Sequence, residues 1–252
     1  GIVGSGTGSF WVGNHVHDIT SASPMEMHGI YIDGDGSYEV SYNWIEQITD
    51  GSGFQVYTDD GYSATSNNVS FHHNMIGNVA KYGINIADGS GAGFVYYDNV
   101  VYGTGWGCLR FNTNTLSGAK IYNNTFYDCS SRAGYGVVNN DWNFPANALD
   151  MENNILYANS GGSYTGGSVG MTSGIGTVTN NLFYNGSSGD GWDSHPVLGD
   201  PMFLSTATPD LHLQTGSAAI GAGSTAVATV VTTDYDLNPR PSTSIDIGAY
   251  TH

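Results

Sequence analysis

Two hundred and fifty-two residues are enough for one sizeable domain with a real core. Only 11% are charged, and 5 Lys+Arg against 22 Asp+Glu leave a formal charge of −17, which excludes a nucleic-acid binder and any attraction to an anionic membrane surface. The 37 glycines, with abundant Asn, Ser, Thr and Tyr, disfavour helix, while 39% hydrophobic residues are too many for a disordered chain, so the composition predicts an all-β fold.

In chain order, one motif returns seven times: apolar, any, apolar, two mostly polar residues, Asn, any, apolar. Its copies are Trp11-Val12-Gly13-Asn14, Val40-Ser41-Tyr42-Asn43, Phe71-His72-His73-Asn74, Tyr96-Tyr97-Asp98-Asn99, Ile121-Tyr122-Asn123-Asn124, Met151-Glu152-Asn153-Asn154 and Val178-Thr179-Asn180-Asn181. Two places after each Asn stands Val16, Ile45, Ile76, Val101, Phe126, Leu156 or Phe183, and the Asn-to-Asn spacings are 29, 31, 25, 25, 30 and 27 residues. A second phase lies between the copies: Gly29-Ile30-Tyr31-Ile32, Gly53-Phe54-Gln55-Val56, Gly83-Ile84-Asn85-Ile86, Cys108-Leu109-Arg110-Phe111, Gly136-Val137-Val138-Asn139 and Ser168-Val169-Gly170-Met171. Alternate residues there are mostly apolar, the strand period of two. Repeats of 25–31 residues built this way predict a parallel β-solenoid of about seven coils, each hydrogen-bonded only to its neighbours. The inward Asn residues should stack as an amide ladder at one corner, because Asn tolerates left-handed backbone and bonds along a stack.

The coils occupy residues 1–189. The non-repeating segment 190–252, long enough to fold over the last coil, is predicted to cap the same domain. At the other end, residues 1–8 are too glycine-rich for a capping helix, so either upstream coils continue the stack or the bare edge self-associates end to end. The most apolar stretch, 218–231, is interrupted by Gly and Ser and too short to span a bilayer. Cys108 and Cys129 fit one disulfide of an exported protein or two buried thiols equally.

The tail phrases His195-Pro-Val-Leu-Gly-Asp200-Pro-Met-Phe203, Asp234-Tyr-Asp236-Leu-Asn-Pro-Arg240-Pro and Asp246-Ile-Gly-Ala-Tyr250 resemble secreted bacterial right-handed parallel β-helix repeat proteins of the pectate-lyase-like superfamily. The coil phrases His28-Gly-Ile-Tyr-Ile-Asp33 and Lys81-Tyr-Gly-Ile-Asn-Ile resemble the same group, so the likeness covers about residues 28 to 250. It implies a right-handed parallel β-helix at a secreted or cell-surface location. The group includes pectate and alginate lyases, polygalacturonases, uronan epimerases and proteins of no known activity, and a solenoid licenses no chemistry by itself.

Charges are scarce, so their positions inform. Asp33, Asp35, Asp59, Asp60 and Asp88 fall in Asp-Gly turns of three successive coils. Stacked carboxylates about 5 Å apart repel unless a cation lies between them, and hard oxygen ligands in such turns favour Ca²⁺; plain turns are the other reading. Two outward columns are expected on the same sheet, one of Tyr31, Gln55, Asn85, Arg110, Val138 and Gly170, the other of Asp33, Tyr57, Ala87, Asn112, Asn140 and Thr172. Of these, Tyr31, Gln55, Tyr57, Asn85 and Asn112 suit a sugar-binding groove, with aromatic faces for pyranose rings and amides for hydroxyls. Uronan lyases of the resembling group use Lys or Arg to remove the proton α to a uronate while calcium neutralises the carboxylate, which nominates Lys81 and Arg110. The two are offset by roughly 13 Å along the strand and are not expected to act on one sugar together. His72 and His73 are expected at the surface, and no histidine spacing closes a metal site.

The expectation is therefore an extracellular carbohydrate-active β-helix that binds a uronic-acid-containing polysaccharide and cleaves it by Ca²⁺-assisted β-elimination. A net charge of −17 opposes a polyanionic ligand, which keeps open a non-catalytic surface or assembly protein with stacking solenoid ends. A glycoside hydrolase of polygalacturonase type, using Asp33 with Asp59 and Asp60, comes third; the Gly-His-Gly and Lys of that pattern are missing from the following coils.

Overall fold

The computed structural model describes residues 1–252 apart from 21–26, 35, 58–67, 88–92, 172–173 and 188–190. The repeat folds into three parallel sheets of seven, seven and eight strands, a parallel β-helix in which the seven Asn rungs bound about six turns. Sheet 1 contains Ile2–Gly4, Ile30–Asp33, Phe54–Tyr57, Tyr82–Ile86, Gly107–Phe111, Gly136–Asn140 and Ser163–Gly166. Sheet 2 runs from Ser9–Val12 to Ile175–Thr179, and sheet 3 from His15–Val16 to Val197–Leu198. Period-two alternation turns one apolar set inward on all three sheets, so Ile30, Val40, Ile45, Phe54, Phe71, Ile76, Leu109 and Phe126 pack into one continuous core. Each such side chain contributes about 1.5–3 kcal/mol of burial. Among the described residues the only helix is the single turn Thr225–Val227.

The ladder forms at the corner between sheets 2 and 3. Asn14 Nδ2 donates to Asn43 Oδ1 at 2.8 Å, and the contact repeats through Asn74, Asn99, Asn124, Asn154 and Asn181 at 2.8–3.0 Å. The last rung ends on a carboxylate: Asn181 Nδ2 and its backbone N–H both donate to Asp193 Oδ2, at 2.7 and 3.0 Å. The left-handed backbone expected of the ladder Asn belongs instead to the residue before it. Gly13, Tyr42, His73, Asp98, Asn123, Asn153 and Asn180 all have φ between 50° and 69°. The kink at that place turns the chain through the corner and lets the following amide point inward. Replacing Asn99 by Ala should cost about 1–3 kcal/mol, since buried neighbours lose a donor and an acceptor. Asn78→Gly, at an exposed position with φ of 54°, should cost little. Equal shifts in urea midpoint for the two variants would refute the ladder's role.

The left-handed row also explains the C-terminal segment, which runs back along the flank of the solenoid. Side chains of that row reach outward and bind it. Asn180 Nδ2 donates to Ala222 O, Asn153 Nδ2 to Ser224 O, and Asn123 Nδ2 to both Asp246 O and Gly248 O. Asp98 pairs with Arg240 at 2.7 Å, and His73 Nε2 donates to Asp234 O at 2.9 Å. Phe203, Leu211, Leu213, Ala219, Ile247 and Tyr250 bury the outer face of sheet 3 around Val100, Tyr102, Ile155 and Leu182. His72 and His73 are therefore buried rather than at the surface, and desolvation pushes each down to about 4.

Candidate functional site

Strand pairing aligns Tyr31, Gln55, Asn85 and Arg110 in one outward column of sheet 1, as expected. The register then departs from the expectation by one residue. Asn139 stands beside Arg110, while Val138 pairs with Leu109 and faces the core. The reason lies at the inward position where Gly29, Gly53 and Gly83 stand, because a Cβ there would lie 2.2–2.4 Å from Ile45, Ile76 or Val101. In the next two coils Cys108 and Val137 take that place, so Gly136 is not its equivalent. The last strand is Ser163–Gly166, which leaves Gly170 outside the sheet. In the second column Asp33 lies beside Tyr57. Asp141 rather than Asn140 follows Asn112, and Asn140 is buried with its Nδ2 donating to Gly170 O. Thr172 lies outside the described residues.

Two of the expected sugar ligands are occupied with each other. Gln55 and Asn85 point outward yet are buried, Asn85 Nδ2 donating to Gln55 Oε1 at 2.6 Å. Tyr31 and Tyr57 line a 410 Å³ hollow with His28. Asn112 accepts from Trp142 Nε1 at 2.9 Å and lines a neighbouring 340 Å³ hollow with Tyr57. Asp33 is exposed at the end of its strand, whereas Asp35, Asp59, Asp60 and Asp88 lie outside the described residues. Among the described residues no three His, Cys, Asp or Glu side chains converge on one point.

A denser arrangement stands at the opposite edge of sheet 1. Lys81, Trp106 and Tyr135 each immediately precede a strand and share one column, Trp106 N–H donating to Lys81 O at 3.0 Å. Lys81 Nζ lies 5.2 Å from the Trp106 ring centre, and the Arg132 guanidinium carbon lies 4.5 Å from Trp106 and 5.3 Å from Tyr135. Further along the same strands, Arg110 covers the Tyr82 ring at 4.9 Å, and burial holds the Tyr82 hydroxyl well above its usual range. Three of the chain's five cations thus collect on one face. Two are neutralised: Lys81 by Asp50 at 3.3 Å, Arg110 by Asp141 at 2.7 Å. Arg132 is exposed, lies against both aromatic rings, and pairs with no carboxylate among the described residues. With Ala133 and Tyr135 it forms one wall of a 790 Å³ hollow whose other lining is Ser, Gly, Asn and Thr.

Beneath this cluster, Cys108 and Cys129 form a disulfide with Cα atoms 5.3 Å apart, tying Gly107–Phe111 of sheet 1 to Thr125–Cys129 of sheet 3. The open choice at the two cysteines is resolved as a bridge. Sequence reading nominated Lys81 and Arg110 but missed Trp106, Arg132 and Tyr135. The signal was there: Lys81, Trp106 and Tyr135 each stand two places before the inward residue Gly83, Cys108 or Val137. It was hidden by the slip at Gly136. In comparisons with known proteins, no family and no curated relative matches this chain.

Proposed function

We propose that the chain is an exported carbohydrate-active β-helix that binds a uronic-acid-containing polysaccharide on sheet 1, with β-elimination as its chemistry. The observation that carries the reading is Arg132, a guanidinium with no carboxylate partner among the described residues, lying against the Trp106 and Tyr135 rings at the rim of a hydroxyl- and amide-lined hollow. Guanidinium forks fit carboxylates, ring faces fit pyranoses, and Ser, Thr and Asn satisfy hydroxyls. With Lys81 and Arg110 paired to Asp50 and Asp141, the cluster keeps one net positive charge at Arg132, a local foothold for an anion that the molecule as a whole repels. The buried disulfide supports export. In elimination, neutral Lys81, released from Asp50, would accept the α-proton as the glycosidic C–O bond breaks and the leaving oxygen takes a proton from solvent; Arg110, roughly 13 Å further along the strand, would hold the carboxylate of a different uronate. Calcium at the Asp33, Asp35, Asp59, Asp60 and Asp88 turns belongs to the same proposal; bound there, it would neutralise substrate carboxylates.

Calorimetric titration with polygalacturonate, alginate and glucuronate-containing heteropolymers tests the binding. Arg132→Ala and Trp106→Ala should each weaken it about ten-fold or more at low salt. Unchanged affinity in both variants places the site elsewhere. Absorbance of the unsaturated product, with Ca²⁺ and with chelator, tests the chemistry on the same panel. Binding without product removes elimination, a chelator-independent melting temperature removes calcium, and no binding at all returns the chain to the assembly-protein alternative.

A further inference from the structure

In the outward column of sheet 1, Arg110 is accessible and its neighbours are closed. Asn85 on one side is 3% exposed and bonded to Gln55. Asn139 on the other side is wholly buried, its carboxamide folded back to accept from Gly136 N–H at 2.9 Å and donate to Gly136 O at 2.8 Å. The Arg110 side chain between them keeps 23% of its surface open. A ligand that reaches Arg110 meets no accessible side chain in that column one rung up or down, so its continuation lies along the strand.

In one direction that path returns to Trp106 and Arg132. In the other it enters a 340 Å³ hollow lined by Tyr57, Ala87, Asn112, Thr113, Asn114 and Trp142. Asn112 stands six residues beyond Trp106 on the same strand, which puts the two ends of the path about 20 Å apart. Trp142 is 48% exposed there, and yet it is fixed. Its Nε1–H donates to Asn112 Oδ1 at 2.9 Å and its backbone N–H to Asn140 Oδ1 at 3.3 Å. Asn140 Nδ2 donates in turn to Gly170 O at 3.0 Å, and Asp141, the residue between, accepts from Arg110 at 2.7 Å and from Ser168 N–H at 2.9 Å. An exposed indole held in this way offers a ring face that is ordered before any ligand arrives, and ring faces suit pyranoses.

We propose that a uronate chain crosses sheet 1 along its strands, at right angles to the solenoid axis, from Arg132 past Arg110 to a sugar stacked on Trp142. The inference rests on the acidic-polysaccharide reading and deepens it, giving the ligand a direction and a minimum length. Trp142 is then a binding residue for long chains alone.

Tri- and octasaccharides of polygalacturonate and of alginate are titrated against the full chain at low salt, the trisaccharides by the concentration that displaces the octasaccharide. Trp142→Ala should weaken the octasaccharide about five- to ten-fold and leave the trisaccharide within about two-fold. Trp142→Phe, which keeps a ring, should recover part of the loss. Arg132→Ala should weaken both lengths. A loss of fold would strike both lengths alike, so the length dependence separates stacking from stability. An octasaccharide unmoved by Trp142→Ala, or both lengths weakened equally, overturns the crosswise path while the acidic-polysaccharide reading stands on Arg132→Ala. Binding of no octasaccharide, or binding unmoved by Arg132→Ala, overturns both.

Discussion

Replacing Arg240 by Ala is expected to destabilise the chain by about 3–5 kcal/mol, because it strands the buried Asp98 carboxylate without its partner. Both side chains are essentially inaccessible, at 1% and 0% exposure. Arg240 binds more than Asp98: Nε donates to Thr233 O, one terminal nitrogen to Asp246 O, and the other to Gly248 O and Asp98 Oδ1. One guanidinium therefore holds three places of the C-terminal segment against the solenoid. Burial pushes the Asp98 carboxyl upward against the pull of Arg240, so the lone acid would take up a proton once its partner is gone. Removing both charges, as Asp98→Asn with Arg240→Met, should recover part of the loss. The readout is the urea midpoint of each variant. A loss under about 1 kcal/mol for Arg240→Ala would show that the segment is held by its apolar face alone.

Removal of the disulfide, as Cys108→Ala with Cys129→Ala, should cost about 3 kcal/mol. That is the closure entropy of a 21-residue separation released in the unfolded chain. Thermal melting of the double variant against the wild type measures it. The same variant reports on the site above the bridge, since Cys108 lies two residues from both Trp106 and Arg110. Loss of stability with ligand affinity retained would show that sheet pairing alone positions the cluster.

The fold was legible because the constraint that sets it is periodic. An inward amide every 25–31 residues, with apolar residues at fixed offsets, admits few other architectures. Register within the outward columns was legible only while the inward glycine persisted. Once Cys108 and Val137 took that position, Gly136 offered a false match, and one residue of slip exchanged Val138 for Asn139 on the outer face. The site was half legible for a related reason. Lys81 and Arg110 stood out as rare charges, but Arg132 belongs to a turn with no strand pattern, and its partners Trp106 and Tyr135 become neighbours only through coil stacking. The path of the tail was illegible because its anchors, His73, Asp98, Asn123, Asn153 and Asn180, are scattered one per coil.

Those five anchors change how the molecule should come apart. In an unbraced stack of coils each rung answers only to its neighbours, so melting spreads from either end by single steps, like a zipper. Here one continuous segment grips the rungs of Asn74, Asn99, Asn124, Asn154 and Asn181, and none of the five can open without releasing contacts on the others. Five links of the chain thus behave as a single cooperative block. The rungs of Asn14 and Asn43 lie beyond its grip and are left to fray one at a time, so amide exchange should be graded there and uniform in the rest.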